Sequence, residues 1–109
     1  MILVRWAAAF IFTQIVEVPI YRRHLGVGFW AAFGASTITH PLVWLFLGSH
    51  AWRAPWTAQV IAAEVFAWLT EAAYFGVGFR RPGALFWSFV ANAASLGLGL
   101  LARWLFGWP

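Results

Sequence analysis

The sequence has no cysteine and no lysine, and it has only three acidic residues in a chain of 109. The lack of cysteine excludes disulfides, thiolate nucleophiles and cysteine-bound metals. Charged residues make up 9% of the chain, against roughly 25% in an ordinary soluble domain. Together with 63% hydrophobic residues, this scarcity of charge predicts a membrane protein with one transmembrane domain over residues 1–109.

The seven basic residues are all arginines, which occur singly or in pairs and give the chain a formal charge of +4. They form no basic stripe that could follow a phosphate backbone, so nucleic acid is not an expected partner. Arginines at the ends of apolar segments are typical of anchors to lipid headgroups. The expected partner is therefore the lipid bilayer.

The chain contains four apolar segments, and each is long enough to cross a hydrocarbon core of about 30 Å. The predicted spans are residues 2–20, 29–48, 58–79 and 84–106. Pro19 is expected to close the first span, and Thr57 is a candidate N-cap of the third. The short connection at residues 80–83 makes the last two spans antiparallel neighbours. The predicted fold is all-α, an integral membrane four-helix bundle with up-down topology.

The distribution of arginines predicts an orientation. The connectors after the first and third spans hold Arg22, Arg23, Arg80 and Arg81. The opposite side holds Arg5, Arg53 and Arg103. By the positive-inside rule, the connectors with the paired arginines are expected in the cytoplasm of a bacterial inner membrane, with both termini outside.

The two halves of the chain are weakly similar to each other. Glu17, Tyr21 and the pair Arg22-Arg23 recur in order as Glu71, Tyr74 and the pair Arg80-Arg81. A repeat of this kind relates two helical hairpins by an axis along the membrane normal. It would make Glu17 and Glu71 counterparts.

All three acidic residues lie inside predicted spans, where a carboxylate costs roughly 2.5–3.5 kcal/mol on insertion scales. Glu64 and Glu71 are seven residues apart, so they share one helical face. His40 lies beside Pro41 in the second span, and Glu17 lies near the end of the first. These four titratable side chains predict a buried proton or cation site, with Glu64, Glu71 and His40 as a candidate metal-binding set.

Other polar residues on the same helical faces are expected to orient these four side chains. They are Gln14, Ser36, Thr37, Tyr74 and Asn92. A simpler interpretation also stays open, in which the glutamates are neutral, hydrogen-bonded packing groups and His40 is a structural imidazole. A divalent metal is one cofactor that such a set could hold, and a tetrapyrrole bound through His40 is less favoured.

Three short motifs carry a resemblance to known proteins. They are Glu17-Val18-Pro19-Ile20-Tyr21, Thr39-His40-Pro41 and Asn92-Ala93-Ala94-Ser95, with Glu64 and Glu71 between the last two. This pattern resembles an uncharacterised family of small bacterial four-span membrane proteins. In that pattern an Asn stands three residues before the Thr of Thr-His-Pro, where this chain has Ser36. The resemblance implies the four-span architecture and the choice of polar residues, but no activity.

The expected function is binding or conduction of a cation, either a proton or a divalent metal, at the buried cluster. Two alternatives stay open: a non-catalytic accessory subunit of a larger membrane complex, and an intramembrane metal-dependent enzyme that acts on lipid. Catalysis by a nucleophile is less favoured, because no Ser or Thr lies in a nucleophile-elbow motif. Most helices keep an outward face in either case, so a homo-oligomer or a larger complex is expected.

Overall fold

The computed structural model describes residues 2–47 and 55–107, and all regular structure in these ranges is helical. The helices are α1 (Ile2–Leu25), α2 (Phe29–Leu47), α3 (Trp56–Ala73) and α4 (Ala84–Phe106). A π-helical segment, Tyr74–Gly78, continues α3. The predicted loop with His50, Trp52 and Arg53 lies outside the described residues.

The first helix is longer than predicted, because it passes through Pro19 and ends at Leu25. A proline removes one backbone donor, and helices in membrane proteins tolerate this loss better than others do. Tyr21 consequently lies one helical turn beyond Glu17, on the same face. The helix stops at Gly26, whose φ of +65° is the left-handed conformation common after a helix end.

The third helix begins at Trp56, with Pro55 in the N-cap position and no side chain capping the first turn. The prediction that Thr57 caps this helix is therefore wrong, since Thr57 is already helical. At its other end, the backbone N–H of Arg81 donates to the Phe75 carbonyl at 3.0 Å, which closes the turn after the π-helical segment. Gly83, with φ of +81°, then leads into α4.

Each helix packs against two others, in the cyclic order α1, α2, α3, α4 and back to α1. The apolar core lies towards the connectors that hold the paired arginines. There the rings of Tyr21 and Phe75 are fully buried, with their centroids 4.4 Å apart. Buried alanines such as Ala32 and Ala91 let the helices approach closely around these rings.

The outside of the bundle is apolar and its interior holds polar side chains. Trp104, Val77 and Trp30 are 80%, 79% and 77% exposed, whereas Glu17 and Glu71 are each 1% exposed. Three helical stretches in the described part of the chain are long and apolar enough to cross a membrane: Leu3–Leu25, Thr57–Gly78 and Ala84–Phe106. This inverted distribution of polarity is expected where lipid rather than water surrounds the helices.

Candidate functional site

Glu71 lies on α3 and turns its carboxyl group into the centre of the bundle. The hydroxyl of Tyr21, on α1, donates a hydrogen bond to Oε1. The Thr39 hydroxyl, on α2, donates to Oε2 at 2.8 Å, and the Asn92 amide, on α4, donates to Oε1 at 3.3 Å. All three other helices therefore supply a donor to this one carboxyl group.

Glu17, on α1, is held in a similar way by two hydroxyl groups. Ser36 on α2 donates to Oε1 at 2.7 Å, and Ser95 on α4 donates to Oε2 at 2.6 Å. Glu17 is therefore an interior residue, although it lies near the end of the first predicted span. Its position close to Arg22 and Arg23 in the sequence does not produce an ion pair with either of them in the structure.

The two carboxyl groups lie within hydrogen-bonding reach of each other. We refer to Glu17 and Glu71 as the carboxyl pair. Their five donors, from Tyr21, Ser36, Thr39, Asn92 and Ser95, are all uncharged groups. Because two carboxylates in contact repel each other, this arrangement requires a proton or another cation to reduce the negative charge.

Helix α4 supplies hydrogen-bond donors to both carboxyl groups. The Asn92 amide, besides its bond to Glu71, lies 2.8 Å from the Ser88 carbonyl one turn earlier. The Ser95 hydroxyl, which donates to Glu17, lies 3.1 Å from the backbone carbonyl of Asn92. The amide and the hydroxyl stand three residues apart, so both reach into the bundle from the same helical face.

A cavity of about 250 Å³ adjoins the carboxyl pair and has walls from all four helices. His40 on α2 and Glu64 on α3 line it together with Glu17 and Glu71. Nε2 of His40 and Oε2 of Glu64 are buried and have no hydrogen-bond partner. We refer to His40 and Glu64 as the cavity wall. Buried polar atoms without partners, in a space of this size, are typical positions for ordered water.

The imidazole of His40 lies among aromatic rings, with centroids 5.7 Å from Trp6, 5.4 Å from Phe10 and 6.0 Å from Trp44. One side of His40 is thus fixed by packing against these rings. The other side faces the cavity with a free nitrogen.

The structure brings some of the predicted supporting residues to the carboxyl pair and places others elsewhere. Ser36 and Asn92 donate directly to it. The Gln14 amide donates to the Phe33 carbonyl at 3.1 Å, and the Thr37 hydroxyl donates to the same carbonyl at 2.8 Å. Tyr74 donates to the Ala31 carbonyl at 2.9 Å and contacts neither glutamate.

Glu64, Glu71 and His40 do not form a three-residue cluster in the described part of the chain. Within residues 2–47 and 55–107, no three His, Asp or Glu side chains are close enough together to hold a metal ion. All three of these residues line the same cavity, but Glu71 accepts hydrogen bonds from Tyr21 and Thr39, whereas Oε2 of Glu64 and Nε2 of His40 have no partner. Seven residues place Glu64 and Glu71 on one helical face, but that spacing also separates them by about 10 Å along the helix.

Three residues of the network were not part of the predicted site: Tyr21, Thr39 and Ser95. Each lies close in sequence to a predicted site residue on the same helix, either next to it or three or four residues away. Tyr21 follows Glu17 by four residues, a spacing that puts both on one face once the helix continues past Pro19. A predicted helix end at residue 20 places Tyr21 in a connector, and for this reason the sequence does not identify Tyr21 as a site residue.

The fold and the site together define a class of protein: a helical bundle with three candidate membrane-spanning helices and a buried network of carboxyl groups and neutral donors. A comparison with known proteins adds no family to this description, since no family model, curated protein or solved structure matches the chain. The resemblance to small four-span bacterial proteins stays a prediction.

Proposed function

We propose that this protein is a four-helix membrane protein with up-down topology that binds and conducts protons at the carboxyl pair. The observation that carries the proposal is the contact between Glu17 and Glu71, two buried carboxyl groups whose hydrogen-bond donors are all neutral. A proton shared between them removes part of their mutual repulsion. A group that gains and loses one proton inside a membrane is the basic element of a proton relay.

The cavity supports movement of the proton rather than storage alone. Its volume of about 250 Å³ is enough for several water molecules, each of which occupies about 30 Å³ in the liquid. Water between the carboxyl pair and the cavity wall would join Glu71 to His40 and Glu64. Imidazole and carboxyl groups are the side chains that most readily pass protons in such chains.

A divalent metal is a less favoured cargo for this site. The oxygens of the carboxyl pair already accept hydrogen bonds from four of the surrounding side chains at 2.6–3.3 Å and from Tyr21. Hydroxyl hydrogens directed at the carboxyl oxygens occupy the lone pairs that a hard metal ion needs. The intramembrane metal enzyme acting on lipid loses support for the same reason.

A contact between two helix ends supports the proposed topology. His24, in the last turn of α1, stacks on Trp87, in the first turn of α4, with ring centroids 3.7 Å apart. This contact supports a common end for the connectors that hold Arg22, Arg23, Arg80 and Arg81. By the positive-inside rule we place that end in the cytoplasm of a bacterial inner membrane.

Proton flux into proteoliposomes tests the proposal. The purified protein is reconstituted with a pH-sensitive dye inside, and a potassium diffusion potential drives protons. We expect Glu71→Gln and Glu17→Gln each to reduce the initial flux by about tenfold or more, because an amide cannot carry the shared proton. Unchanged flux in both folded variants would overturn the proposal, and so would a parent protein with no flux above empty vesicles.

Two threonines on α2 provide a matched control. Both hydroxyls lie within hydrogen-bonding distance of a backbone carbonyl of their own helix, but only Thr39 also donates to Glu71, so Thr39→Val removes that donor and Thr37→Val does not. We expect a several-fold loss of flux in the first variant and parental flux in the second. Elemental analysis of the parent protein tests the alternative cargo, and a stoichiometric divalent metal lost in Glu71→Gln would contradict the proton proposal.

A further inference from the structure

A second, larger hollow lies on the outside of the bundle, where α1 meets α2. This groove has a volume of about 850 Å³, and most of the side chains along it are apolar, among them Phe10, Ile15 and Phe33. Arg22, Arg23 and Gly26 line one end of it. The groove is separate from the carboxyl pair, which faces the inside of the bundle.

The two arginines at the end of the groove have no partner in the described part of the chain. Both are exposed, and neither forms a hydrogen bond or an ion pair within residues 2–47 and 55–107. Glu17, the acidic residue nearest to them in the sequence, bonds Ser36 and Ser95 in the interior. Two adjacent guanidinium groups without an acid present a fixed positive charge that favours a phosphate group.

The length of the groove matches one leaflet of a membrane. From Phe10 to Arg22 the helix advances by twelve residues, or about 18 Å at 1.5 Å per residue. Half of a hydrocarbon core of about 30 Å is about 15 Å. An acyl chain in the groove would therefore run through one leaflet while its headgroup lies beside the two arginines.

We propose that this groove binds one anionic phospholipid, with its phosphate against Arg22 and Arg23 and an acyl chain along the apolar floor. Basic pockets between membrane helices hold anionic headgroups through the same combination of charge and shape. Val18 and Val27, which are 7% and 5% exposed, are buried residues that line the groove near the two arginines. The site does not depend on proton conduction, so the two proposals can fail separately.

The lipid retained by the purified protein is the measurement. The protein is exchanged into mixed micelles that contain equal amounts of phosphatidylglycerol and phosphatidylcholine with identical acyl chains, and bound lipid is quantified by native mass spectrometry. We expect the parent protein to retain phosphatidylglycerol selectively. Selectivity should fall by about tenfold in the double variant Arg22→Gln, Arg23→Gln, because both charge-assisted contacts to the phosphate are lost.

The other arginine pair supplies a matched control. Arg80 and Arg81 are also adjacent and exposed, but they do not line the groove. The double variant Arg80→Gln, Arg81→Gln has the same change in charge and should retain phosphatidylglycerol within about twofold of the parent. Equal losses from the two double variants would show only a general attraction to positive charge and would overturn the proposal.

A third pair of variants tests the apolar part of the groove without any change in charge. Ile15 and Ile61 are 67% and 62% exposed, and of the two only Ile15 lines the groove. Ile15→Trp should displace the acyl chain and reduce the bound lipid several-fold, while Ile61→Trp should not. Full retention in Ile15→Trp, or complete displacement of the lipid by inorganic phosphate alone, would overturn the proposal.

Discussion

The carboxyl pair and the cavity wall both contain buried titratable groups, but the two regions differ in how many hydrogen-bond partners these groups have. Each oxygen of Glu17 and Glu71 accepts a hydrogen bond from a hydroxyl or an amide. On the cavity wall, Nε2 of His40 and Oε2 of Glu64 are buried without any partner. The first region is saturated with hydrogen bonds, and the second leaves positions open beside a cavity.

In the proposed function, this difference would separate the group that holds the proton from the groups that pass it on. A saturated network fixes the geometry of its carboxyl groups, because moving either of them breaks several hydrogen bonds at once. Unpartnered atoms beside a cavity can exchange hydrogen bonds with water at little cost. We expect stability to depend on the carboxyl pair, and access of protons to depend on the cavity wall.

Loss of a whole carboxyl group should give the largest contrast between the two regions. Glu71→Ala leaves the Tyr21 hydroxyl without an acceptor, while Thr39 and Asn92 keep only their bonds to the backbone of their own helices. We therefore expect a loss of about 3 kcal/mol in the free energy of unfolding. Glu64→Ala removes a carboxyl oxygen that has no partner, and its effect should stay within about 1 kcal/mol. Unfolding by dodecyl sulfate in mixed micelles, followed by circular dichroism, measures both. Equal losses would show that the hydrogen bonds around Glu71 add no stability.

Two tyrosines sharpen the contrast, because each loses only a hydroxyl group. The Tyr21 hydroxyl is buried and donates to Glu71, whereas the Tyr74 hydroxyl donates to the Ala31 carbonyl. We expect Tyr21→Phe to cost about 2 kcal/mol and Tyr74→Phe about 1 kcal/mol, since bonds to carboxylates are the stronger ones. The same micelle titration measures both variants. A larger loss in Tyr74→Phe would reverse the predicted order and place the stronger hydrogen bond outside the carboxyl network.

The smallest effect on stability is expected at His40. A phenylalanine at this position keeps the contacts with Trp6, Phe10 and Trp44 and removes the unpartnered nitrogen. Because the lost nitrogen has no partner, the free energy of unfolding should change by no more than about 1 kcal/mol. Flux should nevertheless fall, because the cavity loses a group that can carry a proton. Parental flux in a stable His40→Phe variant would exclude the cavity wall from the path.

The helices could be predicted from the sequence better than their ends. Apolar stretches bounded by glycine, proline and arginine predict the positions of all four helices to within a few residues, except for the C-terminal end of α1. Pro19 suggested an early end there, but the chain continues as a helix to Leu25. The rule that proline breaks helices weakens where the surroundings offer the backbone no competing water.

The sequence predicted the acidic residues of the site, but it did not predict which of them contact each other. Acidic residues within apolar spans identified both members of the carboxyl pair, because each must face the inside of the bundle. Their shared heptad spacing favoured Glu64 and Glu71 as the principal pair. The structure instead joins Glu71 to Glu17, which lies on a different helix and 54 residues earlier in the chain.

The sequence by itself determined that the chain forms apolar helices and that its acidic residues lie within them, since hydropathy and helical periodicity are local properties. Which carboxyl groups meet was decided only by the tertiary structure. That outcome depends on how four helices rotate and slide against one another, and small changes in rotation exchange one facing side chain for another. The pairing of Glu17 with Glu71, the donors around them and the open positions at His40 and Glu64 all follow from that packing.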